Sequence, residues 1–135
     1  EGALLENSQQ IRRILENLRN HGVLAQLDDF GTGYSSLSYL HQFPIHALKI
    51  DRSFVADLGS GRRSGSAAVV RAIGALAQSM NLEVIAEGIE TTLQRSAVEE
   101  LVCRVGQGFL FAQPRPATEI AAMAEGPTAA GALPH

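Results

Sequence analysis

The sequence predicts an α/β fold in which four parallel strands alternate with helices. Two observations carry this expectation. Short apolar runs recur between longer segments whose apolar residues fall at helical spacing. Charged residues also stand where three of those runs end, as they do on the active face of parallel sheets.

The elements follow in order. Ile11, Ile14, Leu15 and Leu18 recur at helical spacing, and His21-Gly22 ends that helix. Val23 to Leu27 is the first expected strand. Ser36 to Gln42 fits a short helix with Leu37 and Leu40 inward, stopped before Pro44. Ala47 to Ile50 is the second strand, and Gly59 to Ser66 a Gly/Ser loop with a basic pair. A helix over about Ala67 to Met80 carries Val69, Val70, Ile73, Leu76 and Ala77. The third strand is Glu83 to Ala86, followed by a helix from about Thr92 to Val102 and a short strand near Phe109 to Phe111. A last helix spans about Ala117 to Ala124. Residues 1–124 are thus expected to form the domain, and the Pro/Gly/Ala-rich residues 125–135 a mobile tail. Helical connections between sequential parallel strands are right-handed crossovers.

Composition narrows the function classes. At 135 residues the chain can bury a real core, and 45% hydrophobic residues with a net charge of −3 fit a globular protein. No basic excess points to a nucleic-acid polymer as partner. No apolar run reaches the roughly 18 residues of a membrane-spanning helix. Cys103 is the lone cysteine, which favours a reducing, cytoplasmic location.

The polar residues then fall into a constellation. Asp28 and Asp29 close the first strand, Lys49 and Asp51 the second, and Glu87 the third, with Glu90 just beyond. Gln107 stands at the start of the fourth strand or in the loop entering it. Adjacent acids repel and lose hydration, so a cation is expected among them, and hard carboxylate oxygens suit magnesium, manganese or calcium. Paired acids plus a third carboxylate can hold two divalent ions about 3.5–4 Å apart, the arrangement suited to phosphoester cleavage. Lys49 has two readings: it neutralises a phosphate oxygen or holds water, or it is simply ion-paired to Asp28 or Asp51. Gly31 and Gly33 allow close approach to a ligand or unusual backbone angles. Asp29-Phe30-Gly31 spells the kinase DFG, but no HRD loop precedes it and no ATP-binding glycine loop is present.

Four motifs, DDFGTGYSSLSYL, LKIDRSFV, VIAEGIET and QGFLFAQPRP, in this order and spacing resemble the second half of a bacterial EAL domain. The resemblance implies the C-terminal half of a TIM-like (β/α)8 barrel, strands five to eight with their helices. It implies hydrolysis of cyclic di-GMP to linear pGpG with Mg2+ or Mn2+. By resemblance, Asp28 bridges two metals, Asp29 and Glu87 ligate the second, and Lys49 contacts the hydrolytic water. Gln107 and Glu90 correspond to residues supporting the metal–water network. Gly31, Thr32, Gly33, Tyr34, Ser35 and Ser36 correspond to the loop that couples metal and substrate binding to contacts in a homodimer. Glu1 matches the last acid of a Glu-x-Thr-Glu motif that anchors this loop. Sensory or signalling domains upstream are the usual companions.

The departures also shape expectations. The glutamate of the EAL signature, a strand asparagine and the first acid of Glu-x-Thr-Glu would all lie before Glu1. The family barrel needs about 250 residues. The isolated chain is therefore expected to bind metal weakly and to lack activity, with its two sheet edges unpaired near Val23–Leu27 and Phe109–Phe111. A non-catalytic cyclic di-GMP sensor or an interaction module is the alternative, although a sensor would not need the retained metal and water ligands. Val102 and Arg104 depart from a common Gly and Asp, and the loop at Gly61-Arg62-Arg63 is slightly long.

Overall fold

A computed structural model of the chain describes residues 2–32, 37–58, 65–101 and 103–125. Glu1, Gly33 to Ser36, Val102, most of the predicted Gly/Ser loop and nearly all of the predicted tail lie outside the described residues. The order is α1 (Gly2–Asn20), β1 (Ala25–Phe30), α2 (Leu37–Gln42), β2 (Ile45–Ile50) and α3 (Arg52–Leu58). There follow α4 (Ser66–Ser79), β3 (Glu83–Ala86), α5 (Thr92–Leu101), β4 (Val105–Gly106) and α6 (Ala117–Glu125).

The strands form one parallel sheet in the order β1-β2-β3-β4. Doubly wound sheets reverse direction at a switch point, whereas a barrel adds each strand beside the last. Among the described residues there is no reversal. This is the order that an arc of a barrel has.

The core lies between the arc and the helices that follow its central strands. Leu48 and Ile50 of β2, Val55 of α3 and Val70 of α4 are fully buried. α4 packs on β2 and β3, and α3 packs on α4 and α5. Exposed apolar side chains have a pattern of their own. Ile11, Ile14, Leu18, Val23 and Leu24 sit on α1 and the approach to β1, while Val105, Phe109, Phe111, Ile120 and Met123 sit on β4 and beyond. Among the described residues only Leu93, on α5, is a large exposed apolar residue elsewhere. Part of this apolar surface, at Val23 and Leu24 leading into β1 and at Val105 on β4, lies at the two edge strands, where backbone groups also lack a partner strand. No described helix is long and apolar enough to cross a membrane.

Several elements differ from expectation. β1 begins two residues later than predicted and runs through both acids to Phe30. β2 starts at Ile45, directly after Pro44. Ser66, expected in a loop, is the first residue of α4, and its buried hydroxyl donates to Asp57 Oδ2 at 2.8 Å. The fourth strand is misplaced in the sequence reading. Residues 109–111 are a turn, because Phe111 N and Ala112 N both donate to Gly108 O and Leu110 N donates to Ile89 O. The strand is instead Val105–Gly106, too short to show any period. α3 went unpredicted; Asp51 starts it.

Candidate active site

Both adjacent acids reach one side of the sheet, although neighbouring strand residues normally point to opposite faces. Asp29 has φ +52, in the left-handed region, and the β1–β2 register shifts between Leu27 and Phe30. That kink breaks the alternation. Aspartate tolerates such a backbone better than most residues because its short side chain bonds locally. Here Asp29 N donates to Asp28 Oδ1 at 3.1 Å, and Thr32 Oγ1 donates to Asp29 O at 2.9 Å. Gly31 follows at φ +102, where a Cβ would come within 2.9 Å of Phe54 Cε2 and 3.2 Å of Ile73 Cδ1. The loop is pressed onto α3 and α4, so this position requires glycine.

β2 and β3 deliver the other groups. Lys49 and Ile85 are register partners, and Ile50 pairs with Ala86. Glu87 continues from β3 and is anchored by its N–H to Ile50 O at 3.1 Å. Gln107 directly follows β4, with its N–H on Ala86 O at 2.9 Å and its carbonyl accepting from Ile89 N at 3.1 Å. Gln107 therefore stands at the carboxyl end of β4 rather than at its start, which corrects the sequence reading and brings it to the same mouth.

The side chains form one connected set. Lys49 Nζ donates to Asp28 Oδ1 at 3.0 Å and also contacts Glu87 Oε1. Gln107 Nε2 donates to Glu87 Oε1 at 3.0 Å. Carboxylate oxygens of Asp28, Asp29 and Glu87 all lie within 4.8 Å of one another. The Glu87 hydrogen bond, helped by Asp28 and opposed by burial, holds the Lys49 ammonium above its ordinary pKa of 10.5. Between these two carboxylates Lys49 is a cation and a hydrogen-bond donor. Lys49 pairs with Asp28 and with Glu87; the pairing to Asp51 weighed above does not occur.

Asp51 has a different task. Its Oδ1 accepts from Ser53 N at 3.0 Å and from the Ser53 hydroxyl, capping α3. The Ser53 hydroxyl, then the Ser53 N–H, holds the Asp51 carboxyl below its ordinary 3.8. A depressed pKa means that the unfolded chain takes up the proton first as pH falls. Its contribution is present above pH 3.8 and lost as pH drops through the folded value. We expect Asp51→Ala to cost about 1 kcal/mol at neutral pH. In urea unfolding at a series of pH values, the gap to the parent should narrow below that range.

Glu90 lies outside the carboxylate cluster; its carboxylate is not among the three that converge. Its backbone is nonetheless fixed, since buried Gln94 accepts through Oε1 from Glu90 N at 2.7 Å and Thr91 N at 3.0 Å. Thr91 Oγ1 returns a bond by accepting from Gln94 N at 3.2 Å. This is a capping box on α5, and it holds the segment that carries Glu87 and Glu90. The Thr-x-x-Gln spacing announces it, and sequence reasoning overlooked it, as it did the Asp51 cap. Of the expected loop, Gly31 and Thr32 are placed beside the cluster, while Gly33 to Ser36 and Glu1 lie outside the described residues.

The donor set consists of carboxylate oxygens with an amide and an ammonium beside them, and no soft ligand. It fits a hard divalent cation such as Mg2+ or Mn2+. Residues 1–114 match the family model for the EAL domain. The chain belongs to the EAL domain family. It is 47% identical over 116 residues to cyclic di-GMP phosphodiesterase NbdA of Pseudomonas aeruginosa, covering 86% of this chain and 15% of NbdA. The solved MucR phosphodiesterase in complex with c-di-GMP, also from P. aeruginosa, superposes with a TM-score of 0.72 at 47% identity. That match covers 81% of this chain and 48% of the MucR chain. A manganese and cyclic di-GMP complex of Klebsiella pneumoniae BlrP1 aligns with a TM-score of 0.69 at 34% identity, over 78% of this chain and 26% of BlrP1. The present chain therefore spans about half the length of the MucR structure and far less of NbdA. The four-stranded arc is half of the TIM-like (β/α)8 barrel of EAL domains, as the motifs imply.

Proposed function

We propose that this chain supplies the strand five-to-eight half of a cyclic di-GMP phosphodiesterase site that releases linear pGpG. One observation carries the reading: carboxylates from two strands converge within 4.8 Å, with Lys49 and Gln107 hydrogen-bonded onto them. The names of NbdA and MucR support the substrate, and the BlrP1 complex supports the metal.

In this reading Asp28, Asp29 and Glu87 would hold Mg2+ or Mn2+. When bound, such ions make water a workable nucleophile and stabilise the attacking and leaving oxygens of the phosphodiester. The remaining work belongs to the chain's own side chains. Gln107 and Lys49 both bond Glu87 Oε1 and so fix the orientation of that carboxylate. Lys49 positions the incoming water or a phosphate oxygen and offsets charge that builds there. Glu90, just beyond Glu87 on a backbone capped by Gln94, supports the surrounding water network. A single half of the site binds ions weakly, so the isolated chain turns over little substrate.

The test joins this chain with the part of the MucR phosphodiesterase that it does not match. With Mn2+ and cyclic di-GMP, the assembly should release pGpG, resolved by chromatography. An assembled, folded complex that leaves cyclic di-GMP intact would overturn the proposal.

A further inference from the structure

Four described segments follow the carboxyl ends of the strands or close them: residues 28–32, 51–53, 87–90 and 107–110. They carry the carboxylates Asp28, Asp29, Asp51, Glu87 and Glu90, and the sole cation among them is Arg52. Lys49, one position inside the end of β2, is already engaged by Asp28 and Glu87. Arg52 is exposed and has no carboxylate at ion-pair distance among the described residues, whereas Arg12, Arg95 and Arg115 each pair with a glutamate one turn on.

Its stem is held in place. Gly88 has φ +70, and a Cβ there would lie 2.6 Å from Arg52 Cβ and 3.8 Å from Arg52 Cγ. The first carbons of Arg52 therefore rest against the backbone between Glu87 and Ile89. The Asp51 cap fixes the backbone from which that stem departs. A guanidinium that feels the charge of neighbouring Asp51, yet makes no salt bridge among the described residues, thus starts from a capped backbone at the rim of a mouth otherwise rich in negative charge.

A cyclic dinucleotide carries two phosphodiesters, each with one negative charge. The one being cut would lie at the carboxylate cluster and the ions that Asp28, Asp29 and Glu87 would hold. The other must enter the same acidic mouth, and it needs a cation of its own. Guanidinium groups meet phosphate oxygens with two parallel hydrogen bonds, and are less strongly hydrated than ammonium groups. We propose that Arg52 is a substrate-binding residue that holds the phosphate not undergoing hydrolysis. This rests on the phosphodiesterase reading above.

Steady-state kinetics of the assembly with the complementary MucR part test it. Arg52→Gln keeps most of the stem and should raise KM for cyclic di-GMP about tenfold or more, with kcat nearly unchanged, the signature of lost uniform binding. Arg52→Lys should fall between, since it keeps the charge and loses the paired geometry. KM of the parent should also rise with salt more steeply than that of Arg52→Gln. An unchanged KM in Arg52→Gln, or a fall in kcat at constant KM, would overturn the assignment while leaving the phosphodiesterase reading intact. Failure of the unsubstituted assembly to cleave the dinucleotide would overturn both.

Discussion

Replacing Asp28 with Asn should abolish phosphodiesterase activity in the assembled site, lowering kcat by about a hundredfold or more. Changes to residues that merely orient a ligand cost about 10–100-fold, and removal of a direct ligand should cost at least as much. Asparagine has nearly the shape of aspartate, so Asp29 N can still donate to a side-chain oxygen at position 28, as it does now at 3.1 Å. What disappears is one negative charge among three clustered carboxylates. Lys49 would then be held chiefly by Glu87, and the cation site would lose its partner from β1. The thermal midpoint should barely change while pGpG production stops. A variant that unfolds, or one that retains activity, would show that Asp28 acts otherwise.

The second large effect concerns stability. Leu48→Ala should destabilise the chain by about 2–5 kcal/mol, through lost burial and the cavity left behind. Leu48 is fully buried on β2, in register with Leu27 of β1 and Val84 of β3. Because β2 pairs on both sides, no edge can collapse to fill the gap. Small domains hold only about 5–15 kcal/mol in total, so this loss removes a large share. Lys49 is the next residue, so loosening β2 also loosens the cation of the site. Urea unfolding measures the cost directly. Leu93→Ala, at a position 70% exposed, serves as the control and should change stability by about 0.5 kcal/mol or less.

Much of this architecture is legible in the sequence wherever a period exists. Glu83 to Ala86 is a strand over the predicted residues, and α4 and α5 lie within one residue of expectation at each end. Legibility fails where tertiary contacts decide the backbone. Nothing local says that β1 continues through Asp28 and Asp29, because the left-handed turn at Asp29 depends on the Thr32 bonds and on Gly31 lying against Phe54. The apolar Phe109-Leu110-Phe111 looks like a strand, but its N–H groups close a turn on Gly108 and on Ile89. Val105–Gly106 is too short to be read at all.

The site shows the same division. Charges at successive strand ends point to Asp28, Asp29, Lys49 and Glu87 because strand ends are readable and adjacent like charges repel unless a cation stands among them. The sequence cannot show which carboxylates Lys49 pairs with or on which side of β4 Gln107 stands. Those follow from register: β2 beside β3 sets Lys49 against Glu87, and β4 beside β3 sets Gln107 there as well. Asp51 looks like another member of the cluster by position, yet its carboxylate is committed to Ser53.

The measurement that bears most directly on the metal centre is a Mn2+ titration of the chain, following the free-ion signal by electron paramagnetic resonance. The parent should take up Mn2+, and Asp28→Asn or Glu87→Gln should weaken uptake by about tenfold or more. Uptake that is equal in parent and variants, or absent from the parent at millimolar Mn2+, would contradict a cation site built on Asp28, Asp29 and Glu87.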